Sequence, residues 1–267
     1  MITRTSYKKD VYDMSDLLSI MSILRQPDGC PWDKEQTHAS IRNNMIEEAY
    51  EVVDAIDKSD DTSLCEELGD ILLQVAFHSQ IAKDEGSFEF SNVVDGVCKK
   101  LILRHPHIFG QVSAETVDKV LDNWDAIKRV EKHQTSYTDT LTSVPMSFPA
   151  LMRAAKVQKR AGKAGFDWDD VSGALDKLPE ETEELTGAIQ NNDPANIAEE
   201  LGDLLFAVVN VSRFLKVDPE QALNASTDKF IKRFSAVEAK VSDSGKDMKE
   251  LSLSELDEIW NKVKHNV

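Results

Sequence analysis

The sequence predicts an all-α protein built as two tandem helical-bundle domains, and three features of its 267 residues predict it. Apolar residues recur at helical spacing over long stretches, no long alternating stretch suggests a strand, and one acidic pattern is written twice in register. Glycine and proline, at 11 and 8 residues, are sparse enough to leave long helices uninterrupted.

The elements follow in order. After Ser15, Leu17, Ile20, Met21 and Leu24 recur at helical spacing. Ser40 is the expected N-cap of a helix carrying Ile41, Met45, Ala49, Val52 and Ile56 on one face. The next helix carries Leu64, Leu68, Ile71, Leu72 and Val75, and its later counterpart carries Leu201, Leu204, Leu205, Val208 and Val211. In RHPHIFG, Pro106 bars a helix from continuing, so His105 and His107 read as a helix-ending turn. Antiparallel bundles are the architecture such helices make.

The repeat sets the domain limits. Glu47-Glu48-Ala49-Tyr50-Glu51 followed by Glu67-Leu68-Gly69-Asp70 returns as Glu180-Glu181-Thr182-Glu183-Glu184 followed by Glu200-Leu201-Gly202-Asp203, with every acidic position shifted equally. Lys100 and Arg104 return as Lys229 and Arg233, Trp124 and Lys128 as Trp260 and Lys264, and Trp32-Asp33 as Trp168-Asp169. Between the copies the chain is rich in Ser and Thr, contains Pro145 and lacks an apolar period. The expected domains are residues 12–130 and 149–267, joined by a linker over 131–148.

Composition narrows the function. The net charge of −17 repels phosphate backbones and argues against nucleic acid as a partner. It also requires that any phosphate-handling site bring metal ions and placed cations of its own. No apolar run approaches the roughly 20 residues that span a bilayer, so no membrane association is expected. Cys30, Cys65 and Cys98 are odd in number and lack metal-type spacing, which suits reduced thiols in a cytoplasmic protein.

Residues three or four apart share a helix face, so Glu48 pairs with Glu51, Glu67 with Asp70, Glu181 with Glu184, and Glu200 with Asp203. Around Glu200 and Asp203 nearly every neighbour is apolar, and a helix apolar on most sides is expected to be buried. Buried carboxylates are costly unless they meet across a cation. Convergent carboxylates without Cys or His make an all-oxygen site, which suits Mg²⁺, with Mn²⁺ as a substitute. A single EExxE or KxxxR is more often a solvated helix face, and only the joint, repeated pattern turns the reading towards chemistry.

CPWDKEQT, EEAYEV, ELGDILLQV and RHPHIFG in the first half, with GFDW, EELGDLLFAVVN and KFIKRF in the second, resemble the tandem-domain MazG nucleoside triphosphate pyrophosphohydrolases. The resemblance covers nearly the whole chain. It implies the all-α NTP pyrophosphatase fold, Mg²⁺ dependence, broad action on ribo- and deoxyribonucleoside triphosphates, and a homodimer. It assigns metal to Glu181, Glu184, Glu200 and Asp203, and nucleotide contacts to Lys177, Lys229, Arg233, Trp260 and Lys264. A family lysine before the second acidic motif falls at Asn196 here. The first-domain equivalents are Glu48, Glu51, Glu67 and Asp70 for metal, with Lys100, Arg104, Trp124 and Lys128 for nucleotide. Glu180 and Glu184 are the candidate bases, and Lys229 and Arg233 the cations for departing pyrophosphate.

Rival readings stand beside this one. The same chemistry on a narrower substrate, such as dUTP, a modified nucleotide or an alarmone, fits the same residues. A carboxylate-bridged di-iron bundle lacks its Glu-x-x-His pairs. A non-catalytic helical adaptor leaves the ExxD pairs on an apolar helix without a purpose. Lys177 precedes Glu181 by one turn whereas the first copy has Asn44, so the second domain is the expected principal catalyst.

Overall fold

A computed structural model describes residues 8–110 and 116–264, and every regular element among them is helical. The chain divides into two compact units, Met1–Lys128 and Arg129–Val267. The expected second domain ends at 267, so its last three residues lie outside those described. No helix is long and apolar enough to cross a membrane among the described residues. The three cysteines are free, with Cys65 and Cys98 exposed and Cys30 half-buried.

The first unit runs through α1 (Met14–Leu24), α2 (Pro31–Glu35), α3 (Arg42–Asp57), α4 (Asp61–Asp84), α5 (Phe90–Arg104) and α6 (Pro106–Phe109), and α7 (Val117–Glu131) carries the chain across the division. The cap of α1 is Asp13. Its carboxylate accepts from the Ser15 and Asp16 amides, and Asp16 accepts from the Asp13 amide. Ser40 does not cap α3. It exchanges hydrogen bonds with Thr37 in the preceding turn, and Ile41 takes the cap position because its side chain is drawn into the core. That core is Met21, Ile41, Phe77 and Ile81, with Leu24 and Leu73 against it, and it fixes α1 on α4.

The second unit contains α8 (Tyr137–Thr142), α9 (Ala150–Lys163), α10 (Val171–Gln190), α11 (Pro194–Phe214), α12 (Pro219–Asp243) and α13 (Leu253–Lys264). The stretch read as linker holds α8, which packs on α9. Arg160 donates to the Thr140 carbonyl and to Ser143 Oγ at 2.8 Å, and Val144 is buried. A small core of Val237, Val241 and Val263 joins α12 to α13.

The repeat extends to the turns. Ser59 between α3 and α4, and Asn192 between α10 and α11, both take left-handed backbone, with φ of 55° and 51°. The next residues, Asp60 and Asp193, cap α4 and α11 through their side chains. The left-handed residue reverses the chain and the aspartate satisfies the first amides of the returning helix, which yields a tight antiparallel hairpin in each unit.

One expectation needs correction. The helix around Glu200 is not buried on most sides: Leu201, Leu205, Phe206 and Val208 on α11 are 45–50% exposed. Within the unit α10 and α9 lie along α11 and α12 meets it only slightly, which leaves part of its apolar circumference uncovered.

Candidate metal and nucleotide sites

Each hairpin gathers carboxylates because both of its helices carry acids one turn apart on the facing sides. In the first unit Glu48 from α3 meets Glu67 and Asp70 from α4, each with one carboxylate oxygen within 4.8 Å of the others. In the second, Glu181 and Glu184 from α10 meet Glu200 from α11 by the same measure. Glu51 and Asp203 stand outside these triads but close to them. Burial, then Glu51 and Asp70, push the Glu67 carboxyl above the ordinary glutamate range. Burial, then Glu184 and Asp203, do the same to Glu200. Glu48 is likewise raised, by burial first and then by Asp70 and Glu51. These acids crowd one another as groups do when a cation is needed between them. The donors are all carboxylate oxygens, which fits a hard divalent ion and not a thiolate- or imidazole-seeking one.

The units differ in what partners the cluster. Lys177 Nζ on α10 lies 2.7 Å from Glu180 Oε1 and 3.1 Å from Glu181 Oε1. Glu180 first and Glu181 next hold this ammonium above the ordinary lysine range. The matching first-unit residue is Asn44, and there Gln74 Nε2 donates to Glu48 Oε1 at 3.4 Å. The register places Ala207 opposite Gln74, so this neutral donor belongs to the first unit alone. Gln74 was not singled out from sequence. Its only signal was a polar residue on the apolar face of α4.

The cation and tryptophan motifs form separate groups. Arg104 is buried with its guanidinium over the Trp124 ring at 5.1 Å, and Lys128 Nζ lies 5.3 Å from that ring. Lys100 is exposed on α5. In the second unit Trp260 packs into the α12–α13 core and meets Phe230, with ring centroids 5.2 Å apart. Lys229 is exposed and Arg233 half-buried one turn along α12, and Arg233 Nε is buried without a hydrogen-bond partner. Lys264 is exposed at the end of α13, and Asn196 is half-buried in the first turn of α11, where the Asp193 cap takes its amide. Among the described residues no ion pair joins Lys229, Arg233 or Lys264 to the four carboxylates of this unit.

Sequence reasoning also missed a brace between the end of α11 and the loop that leads into α10. Arg213 grips Asp167 with two hydrogen bonds of 2.8 and 2.6 Å and reaches the buried Asn210 at 2.9 and 2.7 Å. Arg213 accordingly holds the Asp167 carboxyl below the usual range. The brace fixes the loop bearing Trp168, whose ring lies so close to Gly173 that an added Cβ would meet it at 2.3 Å. Glycine there lets the indole seat on the first turn of α10.

Comparison with known proteins agrees with this geometry. The MazG nucleotide pyrophosphohydrolase domain matches residues 36–109 and 164–237, two stretches that each contain one hairpin and its acids. The chain is 44% identical over 249 residues to the nucleoside triphosphate pyrophosphohydrolase/pyrophosphatase MazG of Thermotoga maritima, covering 93% of this chain and 94% of that one. It is 45% identical over 251 residues to the nucleoside triphosphate pyrophosphohydrolase of Escherichia coli strain K12, covering 93% and 95%. An uncharacterized Bacillus subtilis protein, YabN, is 46% identical over 254 residues, which are 95% of this chain and 52% of that protein.

Proposed function

The chain belongs to the MazG nucleotide pyrophosphohydrolase family and is a nucleoside triphosphate pyrophosphohydrolase, and from that premise we propose that the second unit is its principal catalytic site. The observation that carries this reading is the convergence of Glu181, Glu184 and Glu200 beside Lys177, a cation the first unit lacks at that position. Glu181, Glu184 and Glu200, with Asp203 at their edge, would hold Mg²⁺, or Mn²⁺ in its place. The ion, when bound, would polarise phosphate oxygens and lower the charge between an acidic protein and its anionic substrate.

The protein's own groups supply the rest. Glu184 is the exposed member of the triad and can accept the proton of the attacking water. That water adds to phosphorus as the α–β anhydride bond breaks, giving nucleoside monophosphate and pyrophosphate. Lys229 and Arg233 would take up charge on the departing pyrophosphate. Their unpartnered nitrogen at Arg233 Nε supports an anion-binding role. Trp260 and Lys264 would close around the nucleotide, and Glu180 would help keep Lys177 beside the acid cluster until substrate arrives. Broad action on ribo- and deoxyribonucleotides follows the resemblance.

We also propose a homodimer. The apolar residues of α11 that stay exposed, together with Leu223, Phe230, Ile231 and Phe234 on α12, are surface that a second copy would cover.

Phosphorus NMR of reacting triphosphate tests the chemistry. Monophosphate and pyrophosphate should appear together with Mg²⁺ and not with excess EDTA. Diphosphate and inorganic phosphate as first products would refute the reaction.

A further inference from the structure

We propose that Lys177 is a resident counter-ion of the second carboxylate cluster, displaced when a divalent cation binds and then passed to the triphosphate. Metal loading would thereby release a phosphate-binding cation in the second unit and not in the first. The inference rests on the reading above that Glu181, Glu184 and Glu200 hold the metal.

Three observations support it. The first is where Lys177 sits. Its Nζ touches Glu181, the most buried acid of the triad at 8% exposure, and is shared with the exposed Glu180. A buried carboxylate is the member that most needs a partner while no metal is present. The second is orientation along the helix. A lysine one turn N-terminal to a glutamate is the poorer arrangement for helix stability, because it opposes the helix dipole. The pair therefore serves α10 badly as a structural bridge. The third is the contrast between copies. At the corresponding position the first unit has Asn44, and Glu48 receives the neutral amide of Gln74. Among the described residues Glu48 makes no ion pair.

The physical consequence is competition followed by transfer. A carboxylate in close contact with an ammonium interacts less strongly with a second cation beside it, because the two cations repel. A divalent ion faces three carboxylates at once and so wins the contest, but at reduced affinity. The freed lysine has a flexible stem and three donors, and its root is one turn from the metal ligands. A triphosphate bound through the metal meets that ammonium without further rearrangement. Metal and nucleotide then help each other bind, and by linkage the coupling is reciprocal.

The test is Mn²⁺ titration by electron paramagnetic resonance on the full chain, with the first cluster silenced by Glu67→Gln and Asp70→Asn. It is repeated with a triphosphate whose α–β bridge is a methylene and cannot be cut. In that background, Lys177→Met should bind Mn²⁺ alone about three- to tenfold more tightly, the range for a half-exposed ion pair to a buried acid. It should bind the analogue more weakly, so that the metal–nucleotide coupling shrinks. Lys177→Arg should keep the parent pattern. Circular dichroism checks that each variant is folded, and methionine preserves helix propensity. If Lys177→Met leaves Mn²⁺ affinity unchanged or lowers it while Glu184→Gln removes the bound Mn²⁺, the site reading stands and the transfer is wrong. If Glu184→Gln leaves Mn²⁺ bound, the site reading itself fails, and the transfer with it.

Discussion

Glu48, Glu67 and Glu200 sit above the ordinary glutamate value of 4.5, chiefly through burial and next through neighbouring acids. An acid raised in this way binds more protons folded than unfolded. Its contribution to stability is full below the unfolded value and is lost as pH rises through the folded one. The aspartates held low, such as Asp60 and Asp167, act with the opposite sign and below the ordinary aspartate value of 3.8. In EDTA, Glu200→Gln should therefore melt higher than the parent at pH 7, and the advantage should vanish towards pH 4.5. Mg²⁺ at pH 7 should reverse the order, because it relieves the crowding in the parent alone. A variant no more stable than the parent at pH 7 in EDTA would contradict the crowding. At this scale the acid pairs and the place of Lys177 one turn before Glu181 could be read from the repeat and its helical spacing, although Glu51 and Asp203 stand outside the triads. The Gln74–Glu48 contact and the Asp167–Arg213–Asn210 brace could not, because each depends on how a loop or a second helix lies across the first.

The helices α1, α3, α4 and α11 were legible from apolar period, and the two hairpins from the repeated acids. Their ends were less so. Ser40 looked like a cap, yet the burial of Ile41 decides that position, and nothing in the apolar period announced the Asp13 cap of α1. The stretch 131–148 lacks an apolar period, so nothing local announced α8, which owes its place to Arg160 on α9. For α11, composition gave apolarity correctly but not which surface covers it. Leu201 at 47%, Leu205 at 50% and Phe206 at 45% exposure leave a face that a second copy would bury. Sedimentation equilibrium at micromolar concentration should give a dimer, and Leu205→Glu should shift it towards monomer by placing a charge in a dry interface. A parent chain that sediments as a compact monomer would refute the dimer and leave the exposed face unexplained.

At the scale of the whole molecule, the chain carries the same four acids twice and has a lysine one turn before the first acid pair, Lys177 against Asn44, in the second copy alone. Duplicated acid clusters with unequal cations suit the proposed division of labour, in which the second unit would turn over substrate and the first contribute structure or regulation. Loss of one charged phosphate contact alone would cost the first unit about fivefold or more in affinity. The most direct measurement compares steady-state turnover of Glu184→Gln and Asp203→Asn with that of Glu51→Gln and Asp70→Asn, each checked for folding. The second-unit pair should lose about a hundredfold or more, as expected for metal ligands, while the first-unit pair keeps most of the parent rate. Equal losses in both pairs, or the larger loss in the first-unit pair, would contradict a principal site in the second unit.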